Sequence, residues 1–500
     1  MNWQIDSLTW RWKLVALVLG AACFAFGQGR WPIPLAAWLA PILLIAYVRS
    51  VRAWVGILGF TIAHAVAWEV AYLGMVKMPM FARWGLFTGL SLVLGLVFLA
   101  DRWAARRSAG FWTTLVFPCG WVAFEFLNGR FSPNGSWGSL AYTFTDQSSF
   151  VQVASVSGWT GITFLVGWVA SVVHWVWQRR ALGQTAWRQA GICAGVMVAV
   201  LVFGSVRLWM QPTGETTRVA SIVGPSSFLD GGEFRRDVWA YTRGIDLPQD
   251  QVESARLHIR STMESHLLLA ERELRAGARI VSFPEANPAL TKREEAEFVA
   301  AAAELADEFD AYVGLGLFVF RPEAGLPTEN KYVLLGPDGS VVWDFLKANL
   351  VPGSSHVVGD GILPDVETNF GRLSCAICFD MDFPALLSQS GGNGTDIFLA
   401  PSNDWTEVRA LHANMARMRA IEQGFNLVRP TKDGFAIVTD PLGRILAKQD
   451  TDRPGNHVMI ADVPTSGVST LYAIVGDSFA WACIAGFLVL LGSARVARLD

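Results

Sequence analysis

Charge is scarce in this chain. Only 17% of its 500 residues are Asp, Glu, Lys or Arg, where a water-soluble domain carries about 25%. With 52% hydrophobic residues and a mean hydropathy of +0.34, that deficit calls for membrane spans. A net charge of −3 offers no basic surface to nucleic acid. Six cysteines are too few for a disulfide framework at this length. Cys23, Cys119, Cys193 and Cys483 lie in apolar runs, and only Cys375 and Cys378 lie in polar sequence. There is no Gly-x-Ser-x-Gly, and His356, His412 and His457 are scattered, which removes a conventional Ser-His site and a spaced zinc site. No metal and no cofactor is expected. The first apolar run lacks a small-residue cleavage site, so it reads as a retained span. Internal repeats and low-complexity linkers are absent.

What is present divides in two. A membrane helix needs about 20 mostly apolar residues. Seven runs approach this before residue 212, near 13–27, 31–48, 53–75, 81–100, 110–128, 159–178 and 190–210, and an eighth lies near 474–494. The first two are short. Glu69 and Glu125 fall inside spans, where an ionisable group faces the bundle or a polar cavity; a helix-packing hydrogen bond is the plainer reading. With the N-terminus inside, the cytoplasmic segments hold twelve Lys and Arg: Arg11, Lys13, Arg49, Arg52, Arg102, Arg106, Arg107, Arg179, Arg180, Arg188, Arg495 and Arg498. The opposite short loops hold four: Arg30, Lys77, Arg83 and Arg130. That asymmetry places both termini inside and residues 213–465 outside the cytoplasm.

The outer segment reads as α/β. Strand-like apolar runs fall at Val219–Val223, Ile280–Phe283, Ala311–Phe320, Lys331–Leu335, Val341–Trp343, Arg372–Cys378, Ile397–Ala400, Asn426–Val428 and Phe435–Val438. Helical patterns fall at Val252–Ala276, Lys292–Glu308 and Ala410–Gln423. Strands alternating with helices make a layered domain. The chain thus divides into a membrane domain over 1–212, an extracytoplasmic catalytic domain over 213–465 and a last span within 466–500.

Three sites in the outer segment sit at strand ends, where α/β folds place reactive groups. Glu285 follows the run Ile280–Phe283 and a proline; it is a turn acid or a catalytic one. Lys347 lies in apolar sequence after a strand; it is a surface charge or a fixed cation for an anion in a dry site. Cys378 closes the strand Arg372–Cys378 before a helical start, where a helix N-terminus favours thiolate. Alternation puts Leu373, Cys375 and Ile377 on one face and Cys378 on the other, so Cys375 reads as a core thiol. The Cys-x-x-Cys spacing also fits a redox pair, but both cysteines fall in a strand rather than at the start of a helix. A Cys nucleophile, a Glu base and a Lys to steady the oxyanion are a sufficient set for acyl transfer.

The order Glu285, Lys347, Cys378 resembles the carbon–nitrogen hydrolase (nitrilase) superfamily. The whole organisation is similar to its membrane-embedded branch, the apolipoprotein N-acyltransferases. The segments that carry this are Trp121–Gly129 with Ser136–Tyr142, Leu350–Pro352, Ile377–Asp380, Pro401–Trp405, and Arg419–Gly424 with Leu427–Arg429. The resemblance implies a polytopic helical bundle plus an αββα nitrilase-like sandwich. It implies Glu285, Lys347 and Cys378 as catalytic residues, with Phe379, Asp380, Trp405 and Trp137 near substrate. It implies a multi-pass protein of the bacterial inner membrane, monomeric, whose partners are a phospholipid acyl donor and a lipoprotein acceptor. The acyl chain would pass through a Cys thioester to the N-terminal amine of a diacylglyceryl-cysteine. The alternatives are a membrane-tethered amidase or nitrilase-type hydrolase, and an inactive paralogue serving as a scaffold. The sequence departs from the family in three places. After Leu350-Val351-Pro352 the family's Glu is replaced by Ser355, with His356 next; Val223-Gly224-Pro225 stands for Gln-Gly-Asn; and Asp380 stands for Glu.

Overall fold

The computed structural model describes residues 9–210, 214–225, 233–321 and 327–496. The boundary expected at 212–213 lies outside the described residues. The chain forms two compact units, Met1–Gln211 with Ile474–Asp500, and Pro212–Ala473.

The first unit is a bundle of helices with apolar surfaces. Ala53–Ala71, Met80–Arg107, Trp159–Ala181, Trp187–Trp209 and Ser478–Val496 are long and apolar enough to cross a membrane. Trp10–Ala25 and Val116–Phe131 have 16 residues each and Pro34–Ser50 has 17, short of the roughly 20 that a perpendicular crossing takes. Lipid cannot solvate charge, so the charged groups find partners within the bundle. Arg49 makes a two-pronged pair with Asp101 at 2.7 and 2.8 Å. Glu69 accepts from Arg83 at 2.8 Å. Glu125 accepts from Ser139 and Thr163, both at 2.7 Å. Both acids expected to face the bundle are thus tied by side-chain bonds between its segments.

The second unit is a two-sheet sandwich covered by helices. Its strands are β1 Thr216–Val223, β2 Ile280–Ser282, β3 Ala289–Thr291, β4 Tyr312–Phe320, β5 Glu329–Leu335, β6 Val341–Leu346, β7 Asp365–Thr368, β8 Gly371–Cys375, β9 Ile397–Leu399, β10 Ser402–Asn403, β11 Asn426–Arg429, β12 Thr431–Lys432, β13 Phe435–Thr439, β14 Ile445–Asp450 and β15 His457–Pro464. One sheet runs β15-β1-β2-β4-β5-β6, with β3 beside β4; the other runs β14-β13-β11-β9-β8-β7. Alternating side chains sort into two cores. Ile280, Tyr332 and Leu334 of the first sheet join Leu373, Cys375, Leu399 and Leu427 of the second. Val281, Val313 and Leu315 instead meet Ile259 and Met263 of helix Gln249–Arg275 and Phe298 and Ala302 of helix Lys292–Glu308. Leu387 of helix Pro384–Gly392 and Ala416 and Ala420 of helix Arg409–Gln423 belong to the core of the second sheet. The layers are helix, sheet, sheet, helix, as the αββα expectation required.

One strand is shorter than its apolar run. The run Arg372–Cys378 leaves the ladder after Cys375, whose partner is Leu399. A competing bond ends it: the Ile377 N–H goes to the Asp380 carboxylate at 3.1 Å, while the Cys378 N–H still keeps the ladder's spacing to Pro401 O at 2.9 Å. Cys378 opens a short 3₁₀ turn, Cys378–Asp382. Strands β3, β7, β10, β12, β14 and β15 were not legible as apolar runs.

Candidate active site

Three loops at strand ends meet around a buried carboxylate. Beyond β2 the chain runs through Phe283 and Pro284, and Ala286 takes φ 54°, a left-handed conformation that non-glycine residues seldom adopt. Gly316 on β4 lets this loop come close: a Cβ there would stand 2.0 Å from Pro284 O. Glu285 is turned inward and is 6% exposed. Its Oε1 accepts from Lys347 Nζ at 2.6 Å and from Asn330 Nδ2 at 2.7 Å. Its Oε2 accepts from the Asn403 N–H at 3.1 Å.

Lys347 follows β6 and is 2% exposed. Its own backbone is held at both ends: its N–H donates to Asn330 O and its carbonyl accepts from Gly359 N, each at 2.9 Å. Cys378 sits at φ 49°, so its thiol rests on a strained corner. Its Sγ lies 3.6 Å from the carbonyl oxygen of Asn403, the residue whose N–H donates to Glu285. The structure therefore brings Glu285, Lys347 and Cys378 into one buried cluster. Cys375, three residues earlier, is fully buried in the inter-sheet core.

The electrostatics follow from this packing. Burial alone would raise Glu285, but the Lys347 ammonium, with hydrogen bonds from Lys347, Asn330 and Cys378, outweighs it and holds the carboxyl below its ordinary value. Burial would lower Lys347, yet the charges of Glu285, Cys378 and Asp380 keep it above its ordinary value. Burial and the Glu285 charge push the Cys378 thiol up, against the opposing pull of Lys347 and His412. At neutral pH the cluster thus holds a carboxylate, an ammonium and a thiol.

The other residues singled out in the sequence have distinct settings. Phe379 is buried edge-on to Phe383, with ring centres 5.2 Å apart. Asp380 is fully buried and accepts from the Asn349 N–H at 2.7 Å, Asn349 Nδ2 at 3.0 Å, Ile377 N at 3.1 Å and Ala348 N at 3.3 Å. It fastens the Cys378 turn to the segment after Lys347. Burial raises it to about 6. Trp405 is half-buried, its ring 5.9 Å from that of His412. Trp137 belongs to the helical unit and stacks on Tyr72 at 6.1 Å. Ser355 is exposed, and His356 lies edge-on to Phe318 at 5.8 Å.

Sequence reasoning missed a second charged cluster beside Cys378, made by Asp382, Asp404, His412 and Arg429. His412 Nδ1 donates to Asp404 Oδ1 at 2.9 Å, and Arg429 Nη2 reaches both Asp404 oxygens at 2.9 and 3.0 Å. Ligand-type atoms of Cys378, Asp404 and His412 all lie within 4.8 Å of one another. As a metal site the set fits poorly, because both Asp404 oxygens are already held by a guanidinium, and a cation added there would meet Arg429. One signal was available: Asp404, His412 and Arg429 lie in or beside segments that carried the family resemblance.

The buried Glu-Lys-Cys cluster on an αββα sandwich defines a carbon–nitrogen hydrolase domain, and the family model of that description matches residues 249–472. A second family model, the apolipoprotein N-acyltransferase N-terminal domain, matches residues 19–172. The chain is similar along nearly its whole length to apolipoprotein N-acyltransferases, and is an enzyme of the N-acyltransferase class. A Rhodopseudomonas palustris apolipoprotein N-acyltransferase is 27% identical, the match covering 97% of this chain and 96% of the relative. One from Geobacter metallireducens is 24% identical over 92% of this chain and 90% of its own length. Among solved structures, an amidase from Nesterenkonia sp. aligns with a TM-score of 0.40 at 16% identity, covering 51% of this chain and 94% of the amidase.

Proposed function

We propose that this enzyme moves an acyl chain from a membrane phospholipid, through a thioester on Cys378, to the N-terminal amine of a diacylglyceryl-cysteine lipoprotein. The observation that carries the reading is the buried triangle of Glu285, Lys347 and Cys378, with the carboxylate ionised and the sulfur protonated. The names of the relatives and the membrane-helix unit support the choice of a lipid-linked acceptor.

In the first half-reaction Glu285 accepts the thiol proton while Cys378 Sγ attacks the ester carbonyl. The Lys347 ammonium offsets the oxyanion charge of the tetrahedral intermediate. Collapse breaks the C–O bond, and Glu285 returns its proton to the departing alcohol, leaving lysophospholipid and an acyl-Cys378 thioester. In the second half-reaction the acceptor amine attacks the thioester and Glu285 takes its proton. Collapse expels the Cys378 thiolate, which recovers that proton as the amide leaves. In this reading residues 213–465 work on the extracytoplasmic side of the bacterial inner membrane and residues 466–500 return the chain to the cytoplasm.

The test is mass spectrometry of full-length protein purified from membranes. A fatty-acyl adduct on Cys378, discharged by a synthetic diacylglyceryl-cysteine peptide with formation of its N-acyl amide, is the expected result. No adduct on wild-type protein supplied with phospholipid would overturn it. An adduct that water discharges as fast as the peptide does would make the enzyme a hydrolase.

A further inference from the structure

His412 lies in the first turns of helix Arg409–Gln423 and is 4% exposed. Both ring nitrogens face carboxylates: Nδ1 stands 2.9 Å from Asp404 Oδ1 and Nε2 stands 3.3 Å from Asp382 Oδ2. An ionised carboxylate only accepts, so Nδ1 carries a proton toward Asp404, and the second carboxylate close to Nε2 favours the charged ring. Arg429 holds Asp404 from its far side, and Thr431 Oγ1 and Phe435 O hold Arg429 at 2.9 and 3.1 Å. The result is a buried row of alternating charge, Asp382, His412, Asp404, Arg429, with its own charges balanced.

This row is more than an internal clamp, because its histidine stands beside the sulfur. Cys378 Sγ and a ring nitrogen of His412 lie within 4.8 Å of each other. The charged groups acting on Cys378 are then Glu285 and Lys347 from the loops after β2 and β6, Asp404 and His412 from the segment after β10 and the helix behind it, and Arg429 from β11; Asp380 and Asp382 belong to its own turn. Glu285 and Lys347 neutralise each other, so the pair supplies a base but little net charge to hold a sulfur anion. The sulfur must be an anion twice, when it attacks and when it leaves.

We propose that His412 is a positioning residue for the reaction, an imidazolium fixed by Asp382 and Asp404 that stabilises the Cys378 thiolate as a second cation beside Lys347. The proposal rests on Cys378 being the nucleophile. No proton crosses to His412 in the cycle; Glu285 carries it throughout. The charge lowers the barrier to thiolate formation and makes Cys378 a better leaving group when the amine displaces it. Asp382 and Asp404 keep the ring charged against its burial, and Arg429 keeps Asp404 ionised.

The test is the pH profile of Cys378 alkylation by iodoacetamide in the full-length detergent-solubilised protein, read by peptide mass spectrometry between pH 5 and 10. His412→Gln keeps a hydrogen-bonding side chain without charge. It is expected to move the alkylation midpoint upward by about one unit, a roughly tenfold slower reaction at neutral pH. His412→Lys is expected to bring it part of the way back. Asp382→Asn, a near-isosteric change, is expected to move it in the same direction as His412→Gln and serves where His412→Gln does not fold. A purely structural role would lower the melting temperature and leave the midpoint unchanged, and that result overturns the proposal. So does a wild-type profile that changes on adding EDTA, since the donors would then hold a metal. Failure of the acyl-adduct experiment with a normal alkylation shift would sink the proposed reaction while leaving the His412 pairing intact.

Discussion

Lys347 Nζ lies 2.6 Å from Glu285 Oε1, joining the end of β6 to a residue 62 positions earlier. Both groups are buried, so each is the condition for the other's charge. Removing one leaves a buried charge without its counterion, which costs about 3–5 kcal/mol. Lys347→Met is therefore expected to destabilise the sandwich unit by about that much and to lower acyl-adduct formation by at least about 10²-fold. Chemical denaturation and adduct kinetics at matched folded protein measure the two effects; adduct formation at the wild-type rate would contradict the assignment.

The same pair sets an acid limit. Glu285 is held below its unfolded value of 4.5. Its contribution to stability is complete above that value and is lost as the pH falls through the lower folded value. Wild-type protein should lose stability below about pH 4.5 through this group. In Lys347→Met the lowering cause is gone and burial raises Glu285, so the slope reverses sign, with stability falling as the pH rises. Urea midpoints across pH 3 to 7 distinguish the two slopes.

The two cysteines should separate cleanly. Cys378→Ala is expected to abolish the adduct, a loss of several orders of magnitude of the kind nucleophile deletions give. Cys375 is fully buried in the inter-sheet core, so Cys375→Ala should cost about 1 kcal/mol and keep most of the activity. If both variants fail alike and activity tracks added thiol, the pair is a redox motif instead.

Gly316 is the backbone space that Glu285 depends on. A Cβ at this position would stand 2.0 Å from Pro284 O, a main-chain atom that can yield only if the loop moves. Gly316→Ala should destabilise by about 1–3 kcal/mol and slow adduct formation at least about tenfold by displacing the base. An active variant with only the stability loss would mean that the loop accommodates the methyl without moving Glu285.

Asp380 fastens the Cys378 turn through four N–H donors. Asp380→Asn turns an NH₂ toward some of them and should cost about 1–3 kcal/mol. Because burial raises Asp380 to about 6 from 3.8, its contribution is complete below 3.8 and is lost as the pH rises through about 6. The gap between wild type and variant should be widest near pH 4 and narrow toward pH 8, which thermal melts at those values would show.

The periodicity of this sequence determined a great deal on its own. Lys292–Glu308 was legible to the residue, because its apolar positions recur at helical spacing and its first turn is acidic. The strand ends that bear Glu285, Lys347 and Cys378 were legible because long apolar runs stop at polar or proline signals. Strand β14 was not, since its residues are largely exposed and leave no apolar run, and β15 is a strand because β1 pairs with it along eight positions far away in the chain. The tertiary structure alone decided that Cys378 leaves its strand at φ 49°: the bond that pulls the chain off, from Ile377 N to the Asp380 carboxylate, competes with a ladder that local sequence favours equally. It alone gathered Asp382, Asp404, His412 and Arg429 into one charged row. Residues dispersed over 47 positions have no shared period, and a buried histidine becomes a cation only when folding brings carboxylates to both of its nitrogens.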